Sequence, residues 1–119
     1  MKSFARYLAE EEETYTPPAS AANNAKKALK WKEEHGDDEV TAMTRTGWTR
    51  ASQLADREDL SYDTVKRMAA FFSRHKGNEK ISPENKDTPW KDNGYISFLG
   101  WGGEEGKKWA EKIISKEDE

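Results

Sequence analysis

The chain has 119 residues, enough for one domain, with 36% charged residues, 34% hydrophobic residues and a formal net charge of −3. Such a polar composition borders on disorder, but five Trp, four Phe and four Tyr favour a small aromatic core. The chain has no Cys, which excludes disulfides, thiolate metal sites and a Cys nucleophile and fits a reducing compartment. No run approaches the roughly 20 apolar residues that span a bilayer, so we expect no membrane association.

Residues 1–16 are predicted to form an acidic N-terminal segment. Phe4, Tyr7 and Leu8 have the spacing of a short helix, and Glu10 to Glu13 then form an acidic run. Four adjacent glutamates cannot all point at one metal or acid–base site, so we interpret the run as solvated. The segment has no signal-peptide core. We place a single helical domain at residues 17–115 and a frayed tail at 116–119.

The first helix of the domain is predicted to begin at Pro17-Pro18, because Pro is tolerated in a first turn, and to end at Gly36. Residues 37–39 are then predicted to form an acidic loop. An apolar face at helical spacing is predicted to be buried: Ala21, Ala25, Ala28 and Leu29. Three lysines project from the other side and form either a second basic patch or a solvated face: Lys26, Lys27 and Lys30.

Residues 48–76 predict the central feature of the chain, two helices joined by a tight turn, with Gly47 as a flexible lead-in. Ala51, Leu54 and Ala55 share one face of the first helix. Ser61 is placed to cap the second helix, because its hydroxyl can accept a bond from a free backbone N–H. The second helix carries an apolar stripe, which we expect to face the core: Val65, Met68, Ala69 and Phe72.

The order of Leu54-Ala55, Leu60-Ser61, Thr64-Val65 and Arg67 resembles a helix-turn-helix DNA-binding unit. In that family the small Ala lets the two helices cross closely, and the residue at the Leu60 position plugs the turn. Asp59 stands where the family usually has Gly, a position that favours left-handed backbone. Asp tolerates that conformation better than most residues.

The hairpin is basic within an acidic chain, because residues 44–76 contain seven Lys and Arg against four Asp and Glu. One interpretation is a face that contacts DNA phosphates. The other is a solvated face with intrahelical ion pairs, such as Asp63 with Arg67 at i, i+4. On the first interpretation, the contacts are assigned to Arg45, Arg50, Tyr62, Lys66, Arg67, Arg74 and Lys76.

The C-terminal third is predicted to be a loop followed by two helices. Residues 77–91 form the loop, with Trp90 docked on the core. Residues 95–99 have the composition of a strand, but no partner strand is visible, so we predict a short helix capped by Asp92 or Asn93. After a turn at residues 100–103, a final helix runs to about Ser115 and buries four residues: Trp109, Ala110, Ile113 and Ile114.

The sequence predicts no enzyme, no cofactor, no metal and no small-molecule substrate. The glycine-rich stretch at residues 100–106 lacks the spacing of a dinucleotide or phosphate loop, and Glu104 and Glu105 would repel phosphate. Close helix packing against Trp101 and Trp109 is the better interpretation. The two histidines lie far apart and lack the spacing of metal ligands or a catalytic triad.

Four motifs follow one another along the chain: Pro17-Pro18; Gly47, Arg50, Ala51, Leu54 and Ala55; Ser61, Thr64, Val65, Arg67, Met68, Phe71, Phe72, Arg74 and His75; and Trp101, Gly102, Gly103, Gly106, Trp109 and Ala110. Together they resemble a small module of tailed phages that occurs alone or attached to portal and prohead protease proteins. The resemblance covers about four-fifths of the chain and implies a virion-associated, nucleoid-type DNA-binding protein, located in the virion or in the cytoplasm of the infected bacterial cell.

The sequence therefore predicts an all-α domain of about five helices that binds double-stranded DNA with little sequence preference. A second hypothesis is a structural module that docks residues 90–109 on a capsid or portal partner and does not contact DNA. A third is a sequence-specific repressor, which requires a dimer and a palindromic site. We rank the repressor last because no dimerisation segment is visible.

Overall fold

The structure is a computed structural model and describes residues 14–78 and 80–117. This part of the chain holds five α-helices and one pair of two-residue strands, so the predicted all-α fold is confirmed. The predicted N-terminal helix and acidic run, at residues 1–13, lie outside the described residues. In chain order the elements are β1 (Thr14–Tyr15), α1 (Ala19–Glu39), α2 (Arg45–Ala55), β2 (Leu60–Ser61), α3 (Tyr62–Arg74), two short 3-10 helices (Pro83–Asn85 and Pro89–Lys91), α4 (Asn93–Gly100) and α5 (Gly103–Glu117).

Helix α1 is the element on which α2, α4 and α5 all pack. Its predicted alanine face is buried, with Ala21, Ala25 and Ala28 fully excluded from solvent. Gly36 adopts a φ of 78° and breaks the helical geometry, as predicted, but one further turn continues to Glu39. The acidic residues 37–39 therefore belong to this last turn and do not form the predicted loop.

Helix α2 begins three residues before the predicted hairpin. The Thr44 side chain caps it by accepting a hydrogen bond from the Gly47 N–H at 3.4 Å. Gly47, predicted to be a flexible lead-in, lies inside the helix, where an added Cβ would stand 3.0 Å from the Cβ of Met43. Met43 has a φ of 64°, and its side chain fills the space left by Gly47 and Gly100.

The core consists of two neighbouring clusters of buried side chains. One joins α2 and α3 to α1 and α5 and includes Leu54, Val65 and Met68, all with no exposed surface. The other joins α1, α3 and α4 and includes Phe72 and Ile96. Two half-buried tryptophans, Trp48 and Trp101, contact both clusters and connect them.

The loop at residues 77–91 is held to the domain as predicted, and its last ring docks on α1. Trp90 is half-buried and stacks on His35, with ring centroids 3.8 Å apart and planes 4° from parallel. Residues 93–100 form the predicted short helix. Its predicted cap is confirmed, because the Asp92 carboxylate accepts the Tyr95 N–H at 3.0 Å.

Asp92 also fastens the loop, since its other carboxylate oxygen accepts the Ser82 N–H at 2.7 Å. Burial alone would raise the pKa of Asp92, but the backbone hydrogen bonds from Ser82 and Tyr95 lower it below its ordinary value. A lowered pKa in the folded state means that the charged carboxylate stabilises the protein above the unfolded-state pKa of about 3.9. That contribution is lost as the pH falls through the folded-state pKa.

We expect Asp92→Asn to lower the free energy of unfolding by about 1–2 kcal/mol at neutral pH, because an amide cannot replace both acceptor oxygens. Urea unfolding at several pH values measures this, with Asp87→Asn in the same loop as the exposed control. The difference between Asp92→Asn and the unsubstituted protein should shrink below about pH 4. A difference that is constant with pH would contradict a stabilising charge.

Helix α5 runs to Glu117, two residues beyond the predicted end, so Lys116 and Glu117 are helical. Ala110 is fully buried, whereas Trp109, Ile113 and Ile114 are half-buried against the first cluster. The glycine-rich stretch makes the predicted close packing. An added Cβ at Gly106 would lie 3.0 Å from the carbonyl oxygen of Trp101, and one at Gly102 would lie 2.9 Å from the Cα of Gly106.

Candidate nucleic-acid interface

The turn between α2 and α3 is a Schellman motif, in which Arg57 takes the left-handed conformation with a φ of 52°. The Glu58 N–H donates to the Gln53 carbonyl at 2.9 Å, and the Arg57 N–H donates to the Leu54 carbonyl at 3.0 Å. The expectation of left-handed backbone at Asp59 is therefore wrong. The position that follows the C-cap residue of α2 is Arg57, and that position determines where the chain reverses.

The N-terminal strand closes over this turn, which the sequence did not predict. Strand β1 pairs antiparallel with β2, with Thr14 opposite Ser61 and Tyr15 opposite Leu60. Arg57 Nε donates to the Pro17 carbonyl at 2.9 Å, so one residue of the hairpin is committed to holding residues 14–17. The Thr16 hydroxyl also donates to Asp59. These contacts fix the start of α3 against the body of the domain.

Helix α3 begins as predicted. The Ser61 side chain accepts the Thr64 N–H at 3.2 Å, and Leu60 plugs the turn with 3% of its surface exposed. Val65, Met68 and Phe72 are buried, while Ala69 is half-buried. This packing determines which side of α3 faces solvent.

The solvent side of α3 carries small residues among cations. Ala70 and Ser73 are exposed near its middle and end, with Lys66, Arg67 and Arg74 exposed around them. The guanidinium of Arg67 pairs with Asp63 at 3.1 Å, and both side chains are about two-thirds exposed (64% and 67%). Such an exposed pair contributes little to stability and can open for another anion.

Tyr62 lies at the start of α3 and is half-buried. Its ring packs at 6.2 Å from the ring of Tyr15, and the ammonium group of Lys66 lies 5.3 Å from its centroid. Tyr62 and Lys66, which were predicted to lie near each other, are therefore in contact. Part of the tyrosine ring is occupied by contacts within the domain.

The other predicted contacts divide between two further places. Arg45 is exposed and lines a hollow with Lys32 and Trp48, on the side of the domain where α1 and α2 meet. Arg50 is half-buried, donates from Nη1 to Gln53 Oε1 at 2.7 Å, and buries its Nε without a hydrogen-bond partner among the described residues. Arg50 is thus oriented by its own helix.

The three lysines of α1 that were predicted as a second patch are exposed, and two of them have partners within the helix. The Lys27 ammonium lies 4.9 Å from the centroid of the Trp31 ring. Lys30 approaches Glu34 at 3.8 Å, one turn further along. Lys26 is exposed. The predicted second patch is therefore partly compensated by local contacts.

A cleft of about 240 Å³ opens where the end of α3 meets the start of α5. Its lining combines two apolar rings with charged and polar residues: Phe72, Phe98, His75, Lys76, Gly77, Glu104 and Lys107. Lys76 was predicted to be a phosphate contact, whereas Lys107 was not predicted. The only sequence feature that indicates a role for Lys107 is the glycine-rich turn, which brings the start of α5 back to α3.

The rings of the alternative docking segment mostly contact the domain itself. Trp101 stacks on Phe71 with ring centroids 4.9 Å apart, and Trp90 stacks on His35. Trp109 and Ile113 line a small cleft of about 240 Å³ with Tyr15. All three tryptophans in residues 90–109 therefore pack within the domain, and Trp109 also lines this cleft.

Residues 14–78 and 80–117 contain no group of three or more His, Asp or Glu side chains that could hold a metal ion. Within the same described residues, no helix is both long enough and apolar enough to cross a membrane. Searches against protein-family models, curated proteins and solved structures returned no match. The resemblance to a tailed-phage module accordingly stays a prediction from the motifs.

Proposed function

We propose that the protein binds double-stranded DNA with little sequence preference through the solvent face of α3. The observation that carries this proposal is the placement of exposed Ala70 and Ser73 among Lys66, Arg67 and Arg74. Small residues allow a helix to approach a polyanion closely, and the surrounding cations can then reach phosphate oxygens. A helix of 13 residues is about 20 Å long and is slender enough to lie in a major groove about 12 Å wide.

The composition of α3 supports binding without sequence readout. Bases are read mainly by Arg on guanine and by Asn or Gln on adenine. Helix α3 contains no Asn or Gln, and Arg67 and Arg74 are its only arginines. Lys and Arg side chains on this face are therefore suited to phosphates. Phosphate contacts supply affinity and position but carry no sequence information directly.

Location in a phage particle or in the infected cell is part of the proposal and is supported by the motif resemblance alone. The competing role is docking on a capsid or portal protein. Half-buried Trp109 and Ile113, beside their small cleft, are the surface that favours it. The two roles differ in their dependence on salt. DNA binding releases counterions, whereas docking through an apolar cleft is much less affected by salt.

We expect the protein to bind two unrelated duplexes of equal length with similar affinity, which falls steeply as salt increases. Fluorescence anisotropy across a salt series measures both the affinity and the slope. Three to five phosphate contacts would give a slope of roughly −3 to −5 in log affinity against log salt. Absence of binding at low salt would remove the proposal, and a strong preference for one duplex would favour a sequence-specific protein.

A further inference from the structure

We propose that the cleft between α3 and α5 binds a backbone phosphate of the DNA, with Lys107 as a contact that extends the α3 surface onto α5. This inference rests on the proposed function and names a further site on the same partner. Its starting point is that Lys76, directly beyond α3, and Lys107, in the first turns of α5, line one cleft. The two lysines are 31 positions apart in the sequence, and only the fold brings them together.

The chemistry of the cleft fits a phosphodiester with its sugar. Two lysines and the imidazole of His75 supply donors at the rim, so an anionic group is favoured there. Phe72 and Phe98 supply apolar surface to its lining and are otherwise buried, with 4% and 8% of their surfaces exposed. Deoxyribose can pack against such an apolar lining. The volume of about 240 Å³ is larger than a phosphate group requires and leaves room for this sugar.

The charged residues of α5 allow the role of Lys107 to be distinguished from that of another lysine on the same helix. Lys107 lines the cleft and is half-buried, whereas Lys112, also on α5, is exposed and lines the other cleft, beside Trp109. Glu104 is three positions before Lys107 and lines the same cleft, where its carboxylate opposes an incoming phosphate. The two lysines carry the same charge on one helix, so their long-range attraction to DNA is similar. Only a direct contact with phosphate would make their substitutions differ in effect.

The decisive experiment compares Lys107→Ala with Lys112→Ala, using anisotropy with a labelled duplex across a salt series. We expect Lys107→Ala to weaken binding about fivefold or more at low salt and to reduce the salt slope by about one. Lys112→Ala should change the affinity less than about twofold, because it removes only distant attraction. Equal effects of the two substitutions would overturn the assignment of Lys107.

A second substitution tests the cleft through an expected gain of affinity, and its result does not depend on how well Lys107→Ala folds. Glu104→Gln removes the carboxylate that opposes phosphate, and we expect it to tighten binding about two- to threefold. Glu33→Gln, an exposed change of equal charge on α1, should have less effect. Weaker or unchanged binding by Glu104→Gln, relative to Glu33→Gln, would overturn the cleft as a phosphate site.

The failure of this inference is distinguishable from the failure of the proposed function. If the unsubstituted protein binds duplex DNA but Lys107→Ala and Lys112→Ala behave alike, then α3 binds DNA without the cleft, and only the assignment of the cleft is wrong. If the unsubstituted protein does not bind duplex DNA at low salt, both fall together.

Discussion

Replacing Lys66 and Arg67 with Ala is expected to weaken duplex binding about tenfold or more at low salt and to reduce the salt slope by about two. Both side chains are exposed on the solvent face of α3, and neither is part of the buried core. Two phosphate contacts would be lost, and with them the counterions that those contacts release. Anisotropy titrations of one duplex at several salt concentrations measure both effects.

The fold should survive this double substitution. Lys66 contributes only an ammonium 5.3 Å from the Tyr62 ring, and the pair of Arg67 with Asp63 is exposed. Exposed pairs of this kind contribute about 0.5 kcal/mol to stability, and Ala is itself a strong helix former. Circular dichroism should therefore show unchanged helix content. A loss of helix signal would mean that weakened binding reports unfolding and not contact.

A matched control is available on α1. Lys26→Ala with Lys30→Ala also removes two exposed helical cations, so the net charge changes by the same amount. We expect this control to reduce affinity much less, because both lysines lie on α1 and not on the α3 face. An equal loss in both double variants would show that affinity is spread over the surface, and α3 would lose its special role.

Replacing Gly102 with Ala is expected to produce the largest loss of stability among the substitutions considered, about 3 kcal/mol or more. Gly102 has a φ of 111°, which residues with a side chain rarely adopt. An added Cβ would also lie 2.9 Å from the Cα of Gly106. Because that atom belongs to the backbone of α5, the contact can be relieved only by moving the helix.

Gly77→Ala separates the backbone cost from the packing cost. Gly77 has a similar φ of 93°, but nothing lies within 4 Å of an added Cβ. We therefore expect Gly77→Ala to cost about 1–2 kcal/mol, which is the penalty of left-handed backbone alone. Urea unfolding of both variants measures the difference. Similar costs for the two would contradict the close approach of Gly102 to α5.

Gly102→Ala should alter the position of α5 as well as the stability of the protein. Gly102 and Gly106 determine how α5 leaves α4, and α5 carries Lys107 to the cleft beside Lys76. Asn24 of α1 reinforces this geometry by donating to the Gly102 carbonyl at 2.9 Å and to the Glu105 carboxylate at 2.8 Å. The glycine-rich stretch that resembles a phosphate loop thus acts through helix packing.

Local patterns in the sequence identified most of the helices and their buried faces. The alanine face of α1, the Ser61 cap with the stripe that follows it, and the Asp92 cap were all predicted and are present. Each depends on residues within about one or two turns of one another. Helical periodicity and cap chemistry act over that range, so the amino-acid order is sufficient to reveal them.

The candidate site was predicted only in part. Lys66, Arg67 and Arg74 share the solvent side of α3, as their spacing indicated, because the buried stripe leaves them no other side. Arg45 instead lines a hollow beside α1, and Arg50 is oriented by Gln53. Their place relative to α3 depends on how α2 packs against α1. No pattern within the hairpin specifies that packing.

What the sequence determined by itself is therefore the set of helices, their apolar faces and the basic character of α3. Only the tertiary structure decided that Thr14–Tyr15 pairs with Leu60–Ser61, that Arg57 makes the left-handed turn, and that Lys107 joins Lys76. The physical reason is the range of the interactions. A two-residue strand has no periodicity to detect, and its backbone groups find partners only when the packed helices bring distant segments together.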